Sequence, residues 1–114
     1  MIKEERVTLS CEDMRPIVLG KVKTNTKRFV FDLSALMDEY GSGGTAELWF
    51  RRPDDLAATK QQLQLEGKTA IWDITKEATA QRGEGEAQFF YYPGEKGLVK
   101  TNIFKAIVLR DIYT

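Results

Sequence analysis

The sequence predicts an all-β domain, and three features of its 114 residues indicate this. Apolar and polar side chains alternate in short segments along most of the chain, which is typical of strands with one buried face. Turn-forming residues fall between these segments. Strands and helices do not alternate, as they would around a parallel sheet. We therefore expect an antiparallel β-sandwich or barrel of about eight strands, with one or two short helical turns.

The strand segments follow one another at short intervals. In chain order they are RVTL, PIVLGKV, KRFVFDL, AELWF, QQLQL, TAIWDI, EAQFFYY and LVKTNIFKAIVLRDI. Glycine and proline favour the turns EYGSGGT, RPDD, EGK, RGEG and YPGEKG between them, because glycine allows positive φ and proline fixes φ. The last segment is apolar on both faces within NIFKAIVL, which indicates a central strand buried on both sides.

Two segments depart from the alternation. The stretch LSALMDEYG places its apolar residues on one helical face, which predicts a short helix near residues 34–40 with Ser34 as N-cap and Gly41 as its stop. In TKEATAQ, Thr75 is positioned to cap a single turn. No linker or repeat interrupts the chain, so residues 1–114 are expected to form one domain.

Charge and composition limit the classes of partner. Seventeen basic and seventeen acidic residues give no net charge, so we expect no nucleic-acid or membrane partner. No apolar run approaches the roughly 20 residues of a membrane span. The single cysteine, Cys11, cannot form an intramolecular disulfide, which fits a reducing compartment. These features favour a soluble protein that is not secreted.

Few residues of this sequence are candidates for a catalytic role. The absence of histidine removes the commonest general base and the usual zinc ligand sets. Glu12 and Asp13 are expected to raise the pKa of the neighbouring Cys11 thiol and so to disfavour its thiolate. Adjacent carboxylates on a strand point to opposite faces. The glycines of GSGGT lack the Lys-Ser/Thr that follows a phosphate-binding loop. We therefore expect no enzyme activity, no catalytic residues, no cofactor and no metal.

Aromatic residues provide the candidate binding surface. Trp72 shares a strand face with Ala70 and Ile74 and is expected in the core. Trp49 shares its face with charged residues, and FFYY places one pair of aromatics inward and one outward. AELWF is interpreted as a strand and RRPDD as its exit turn, in which Arg52 pairs with Asp54 or Asp55. Cross-strand pairing on a sheet surface is the alternative explanation for the outward aromatics. The possible interaction surface comprises Trp49, Arg51, Arg52, Phe90 and Tyr92.

Several of these segments together resemble a known family. The order TAELWFRRPDD, GKTAIWDITKEAT, RGEGEAQFFYY and NIFKAIVL, with the opening IKEERVTLSCEDMRP, resembles the N-terminal domain of phage baseplate upper proteins and related prophage tail-fibre proteins. The resemblance covers nearly all of residues 2–110 and rests on packing and turn signatures. It implies an Ig-like sandwich that docks receptor-binding or fibre components onto the tail. Family members continue into a fibre or coiled segment, whereas this sequence stops at DIYT.

The resemblance implies a structural role. We expect a tail or baseplate module whose partners are other tail proteins or a fibre, made in the cytoplasm of the bacterial host and then assembled into the virion tail. A symmetric oligomer is expected within that assembly, with residues 99–112 as the first place to look for the contact. Charged residues at positions 3–6 are expected to protect the first strand as a sheet edge. The alternative function is carbohydrate binding, with Trp49, Tyr91 and Tyr92 as a stacking platform.

Overall fold

The computed structural model describes residues 3–21, 27–94 and 97–109. This part of the chain is mostly β, with one short helix, as the alternation of apolar residues predicts. Its elements, in chain order, are β1 (Lys3–Thr8), β2 (Ile17–Lys21), β3 (Lys27–Asp32), α1 (Ser34–Tyr40), β4 (Thr45–Arg51), β5 (Thr59–Glu66), β6 (Thr69–Asp73), β7 (Gly83–Tyr92), β8 (Val99–Lys100) and β9 (Phe104–Leu109).

The strands form one curled sheet in the order β1-β3-β6-β5-β4-β7-β9-β2, and β8 adds to β7. Strand β5 belongs to both halves of this sheet. Its first part, Thr59–Leu63, pairs with β4, and its second part, Gln64–Glu66, pairs with β6. The sheet therefore turns along β5 and brings the inner faces of its two halves together.

The expected antiparallel arrangement is wrong at both ends of the sheet. Strand β1 pairs with β3 in parallel, with Lys3 opposite Lys27, and β2 pairs with β9 in parallel, with Ile17 opposite Ala106. The other pairs are antiparallel, so the described sheet is mixed. Parallel neighbours need long connections, and alternation within a strand carries no information about which distant strand lies beside it.

The last predicted strand is two strands in the structure. Thr101 interrupts it between β8 and β9, where the Thr101 hydroxyl accepts a hydrogen bond of 3.2 Å from the Phe89 amide. Strand β9 lies between β7 and β2 and is central, as predicted, but Lys105 and Leu109 are exposed, so burial on both faces is wrong. Residues 110–112 of the expected assembly contact lie outside the described residues, as do residues 95 and 96 of the turn YPGEKG.

An aromatic core lies between the two halves of the sheet. Trp72 is 3% exposed and packs against Phe29, its cross-strand neighbour, with ring centroids 5.8 Å apart. Phe50 of β4 contacts Trp72 edge-on at 5.4 Å. Because β4 and β6 belong to opposite halves, this contact joins them, and the predicted core position of Trp72 is confirmed.

Helix α1 follows β3 and covers the core with its Leu36 and Met37 side chains. Ser34 is its first residue rather than its cap, which corrects the sequence prediction. Leu33 is the N-cap residue and its side chain makes no capping hydrogen bond, whereas Oδ1 of Asp32, one residue earlier, accepts hydrogen bonds from the Ser34 amide and hydroxyl at 2.9 and 2.6 Å. Gly41 ends the helix with φ of 105°, as predicted. In the described ranges, no helix has the length and apolar character that crossing a membrane requires.

Two predicted turns have the expected geometry. In EGK, Gly67 adopts φ of 61° between β5 and β6, which is the positive φ that two-residue hairpins require. In TKEATAQ, the Thr75 hydroxyl accepts a hydrogen bond of 3.2 Å from the Ala78 amide and so caps one turn, as predicted. That turn closes the end of the sheet near Arg52, whose guanidinium donates to the Glu77 carbonyl at 3.2 Å.

Candidate interaction surface

The solvent-facing side of β5, β4, β7, β9 and β2 is called the outer face below. It arises from the alternation along β4 and β7. In β4, Leu48 is buried while Glu47 and Trp49 face outward; in β7, Phe89 is buried while Phe90 faces outward. Antiparallel pairing places Glu47 directly opposite Phe90. The aromatic side chains of β4 and β7 that are not in the core therefore lie together on the outer face.

Trp49 and Phe90 form the centre of the outer face. Their ring centroids are 5.3 Å apart, and the ring planes are tilted by 38°. Trp49 lies opposite Gln88, so Phe90 is its diagonal neighbour on β7, within reach of an aromatic ring. Trp49 keeps 38% of its surface exposed. Contact with Phe90 restricts the Trp49 side chain, so this side chain has little conformational entropy left to lose on binding.

Glu47 connects the polar atoms around this pair. Its Oε1 accepts a hydrogen bond of 2.8 Å from the Tyr92 hydroxyl and a longer one of 3.5 Å from Nε1 of Trp49. Its Oε2 lies 3.9 Å from Nζ of Lys60. The hydrogen bond to Glu47, with burial and the charge of Glu47, raises the pKa of Tyr92, so the phenol remains a donor. The residues Glu47, Trp49, Phe90 and Tyr92 are called the aromatic cluster below.

Lys60 lies against the aromatic cluster from the other side. It is the cross-strand neighbour of Trp49 on β5, and its Nζ is 5.9 Å from the centroid of the Trp49 ring. This distance is near the outer limit for a cation–π contact. Its side chain is 57% exposed. Trp49 is thus flanked by an ammonium group from β5 and by Phe90 from β7.

Arg51 lies beside the aromatic cluster and organises the turn that follows β4. Its Nε and Nη2 donate to Oε1 of Glu86 at 3.1 and 3.0 Å. Its Nη1 donates to the carbonyl oxygens of Arg52, Pro53 and Asp55 at 3.2, 3.4 and 3.1 Å. These donors are already engaged within the chain. Arg51 therefore serves the local structure and is not a free cation for a ligand.

Arg52 points away from the outer face. It shares the inward orientation of Phe50 and borders a separate open cavity of about 390 Å³ with Thr59 and Gln61. Its Nε and Nη2 donate hydrogen bonds to the two carboxylate oxygens of Asp55, at 2.8 and 3.1 Å. This settles the predicted pairing with Asp54 or Asp55 in favour of Asp55. The hydrogen bond from Arg52 lowers the pKa of Asp55, which keeps the pair charged.

A shallow apolar groove extends from Trp49 toward β9. It has a volume of about 120 Å³, and Ile103 lines its far side with 58% of its surface exposed. Further across the sheet, Val18 of β2 lies opposite Ile107 of β9 and is also exposed. The ion pair of Lys105 and Glu84, at 2.9 Å, lies between Ile103 and the neighbouring Val18 and Ile107 on this face. The outer face thus carries exposed apolar groups on both sides of a charged pair that is satisfied within the chain.

The structure divides the predicted interaction surface. Trp49, Phe90 and Tyr92 lie together, Arg51 lies at their border, and Arg52 lies on the other side. Tyr91, which the carbohydrate alternative included, is fully buried, and its hydroxyl donates to the Gly41 carbonyl at 2.7 Å.

Sequence reasoning missed two residues of this region. Glu47 stands two residues before Trp49 and therefore on the same strand face, which is the signal that was present. Lys60 comes from another strand, and only the pairing of β4 with β5 brings it to Trp49.

Chemistry elsewhere in the described chain is limited. No group of three or more Cys, Asp or Glu side chains able to hold a metal occurs among the described residues. Burial, followed by the charges of Glu39 and Glu12, raises the pKa of the Cys11 thiol. The predicted direction of this shift is confirmed, although burial is the main cause and Glu39, from the facing helix, replaces Asp13.

Comparisons with known proteins give no family for this chain. It matches no protein-family model, and no curated protein is significantly similar to it.

Proposed function

We propose that this chain is a structural module of a phage or prophage tail, and that it attaches baseplate, receptor-binding or fibre components through protein–protein contact. The resemblance of its sequence segments to baseplate upper proteins supports the tail assignment. The curled sheet is, in this proposal, a variant of their Ig-like sandwich. Assembly would follow synthesis in the host cytoplasm and place the chain in the virion tail.

The exposed apolar groups of the outer face carry the proposal. Trp49, Ile103 and Val18 are exposed on one side of a continuous sheet, while the charged groups beside them are paired within the chain. Protein interfaces are enriched in aromatic residues and depleted in charge at their centre. A fixed tryptophan beside an apolar groove has the character of an interface hot spot.

Co-elution of the purified chain with other proteins of the same tail tests this proposal. We expect one of them to elute with the wild-type chain and to be lost from Trp49→Ala and Ile103→Asp. Tyr40→Ala is the matched control, since Tyr40 is an exposed aromatic residue on α1, away from the outer face. Failure of every tail protein to bind, or equal loss in the control variant, would contradict the proposal.

Assembly through symmetry is a second part of the proposal. Because β9 lies between β7 and β2, its residues Ala106–Val108 are paired on both sides and present no free strand edge. A contact in this region would therefore use side chains of the outer face, and we expect the isolated chain to be monomeric or weakly associated at micromolar concentration. Sedimentation equilibrium that gives one tight dimer or trimer of this chain alone would contradict that expectation.

Carbohydrate binding is the competing proposal, and the exposure of Trp49 favours it. Tyr92 remains available for such a platform, whereas Tyr91 does not. Sugars stack on a flat aromatic face, and here Lys60 and Phe90 flank the indole. A glycan array combined with tryptophan fluorescence distinguishes the two proposals. Specific glycan signals that Trp49→Ala removes would favour carbohydrate binding.

A further inference from the structure

We propose that the aromatic cluster receives a cationic side chain, lysine or arginine, from the protein partner, in the position that Lys60 takes in the isolated chain. This inference rests on the proposed function and specifies the chemistry of the partner. It commits the outer face to a basic group, flanked by apolar contacts, and not to an acidic segment or a second aromatic residue.

The composition of the aromatic cluster supports a cation. Trp49, Phe90 and Tyr92 surround one carboxylate, Glu47, whose side chain is only 20% exposed. Aromatic rings present a negative face to a cation, and an adjacent carboxylate adds charge. Tyr92 and Trp49 both donate to Oε1 of Glu47, which leaves Oε2 turned to Lys60. The carboxylate is thus oriented by two neutral donors and has one oxygen for a positive group.

Lys60 shows which kind of group this position accepts. Its Nζ lies over the Trp49 ring and beside Oε2 of Glu47 at the same time. Both distances, 5.9 and 3.9 Å, are long for their kind of contact, and the side chain is largely exposed. A loosely held flexible chain is easily displaced. Lys60 therefore acts as an internal competitor that a better-positioned cation can replace.

The surroundings favour a cation on a protein over a free one. The apolar groove beside Trp49 leads from the aromatic cluster to Ile103, so an arriving side chain would carry its aliphatic part over apolar surface. Other charges along the route are compensated: Arg51 is paired with Glu86, and Lys105 with Glu84. Of these three ion pairs, that of Glu47 with Lys60 has the longest N–O distance, so its cation is the most weakly held.

Titration with small cations tests the inference in the purified chain. The probes are N-acetyl-arginine methylamide and N-acetyl-lysine methylamide, with N-acetyl-glutamine methylamide as the uncharged control. The signal is the indole N–H resonance of Trp49, identified by its loss in Trp49→Phe. We expect both cationic probes to shift it and the uncharged probe to leave it unchanged. We expect Lys60→Ala to raise the apparent affinity at least about twofold, because the competitor is removed.

Lys68→Ala is the matched control. Lys68 is also 57% exposed and also pairs with a carboxylate, Asp38, but it lies away from Trp49. Lys68→Ala removes the same net charge as Lys60→Ala. If both variants raised the affinity equally, the gain would come from overall charge, and the inference would be overturned. Glu47→Gln keeps the shape and the acceptor for Tyr92, and we expect it to abolish the response. An unchanged response in Glu47→Gln would also overturn the inference.

The partner experiment separates the two levels of proposal. If a tail protein elutes with the wild-type chain and equally with Glu47→Gln, the proposed function stands and the cation site is overturned. If the cationic probes bind as expected and no tail protein does, the cation site stands and the proposed function is overturned.

Discussion

The hydroxyl of Tyr92 donates a hydrogen bond of 2.8 Å to the carboxylate of Glu47, across two neighbouring strands. Tyr92 is the cross-strand neighbour of Thr45, so its side chain reaches diagonally to the next outward residue of β4. This bond joins the end of β7 to the centre of the outer face. It also makes the phenol of Tyr92 harder to ionise than that of a free tyrosine.

Removal of the Tyr92 hydroxyl should change how stability depends on alkaline pH. The hydrogen bond to Glu47, burial and the charge of Glu47 raise the pKa of Tyr92 in the folded chain. The bond therefore contributes fully below the unfolded pKa, about 10 for tyrosine, and is lost as pH rises through the folded value. We expect wild type to lose its advantage over Tyr92→Phe as pH rises above about 10, the unfolded value, in urea unfolding. A difference that stays constant with pH would contradict this.

Trp72 and Trp49 should differ strongly in their contribution to stability. Trp72 is almost completely buried and contacts aromatic rings from both halves of the sheet, so Trp72→Ala is expected to cost about 3–5 kcal/mol through the cavity it leaves. Trp49→Ala is the exposed counterpart and should cost less than about 1 kcal/mol. Urea midpoints measure both. The reverse order would mean that the two faces are assigned wrongly.

Asp32 should stabilise the beginning of helix α1. Its carboxylate accepts two hydrogen bonds from Ser34, and these lower its pKa. Asp32→Ala is expected to cost about 1 kcal/mol at neutral pH through the loss of these hydrogen bonds. Because the folded pKa is depressed, this contribution exists above the unfolded value of about 3.9 and fades as pH falls through the folded value. Asp13→Ala, at an exposed loop position, is the control and should have little effect.

Arg51 should stabilise the turn after β4 through its geometry more than through its charge. Its guanidinium reaches Glu86 and three backbone carbonyls together. We expect Arg51→Ala to cost about 1–2 kcal/mol. Arg51→Lys keeps the charge but cannot span these acceptors, so it should recover only a small part of the loss. Full recovery by lysine, measured by thermal unfolding, would show that the ion pair alone matters.

Gly85 should not tolerate a side chain. A Cβ atom placed there would lie 2.5 Å from the Arg51 carbonyl oxygen and 3.4 Å from the Phe50 ring. Strands β4 and β7 would have to separate, and we expect Gly85→Ala to cost about 1–3 kcal/mol. Glu84→Ala, at the preceding exposed position of the same strand, is the control. Equal urea midpoints for the two variants would show that the strands can yield without cost.

Local pattern was sufficient for the faces of most strands. Alternation placed Trp72 in the core and separated Phe89 from Phe90, since each depends only on neighbours along one strand. Pairing between strands was not predictable in the same way. Nothing in the segment containing Ile17 indicates that Ala106 lies beside it, because parallel pairing is set by the packing of the whole domain.

The candidate site was predictable to a similar degree. Trp49, Phe90 and Tyr92 could be placed outward from their own strands. The contacts of Arg51 and Arg52 were harder to predict from the sequence. As adjacent residues they lie on opposite sides of the strand, and each hydrogen-bonds to residues of an irregular turn. Lys60 became part of the site only through the register of β4 with β5.

The parallel pairing of β2 with β9 has a consequence for how the domain forms during translation. Ile17 is made long before Ala106, its partner on β9. Strand β2 has to wait until β9 has been made before its hydrogen-bonding partner exists. Contacts that close such long loops slow folding, so the apolar side chains of β2 remain available to chaperones, or to a neighbouring nascent chain, until β9 has been made.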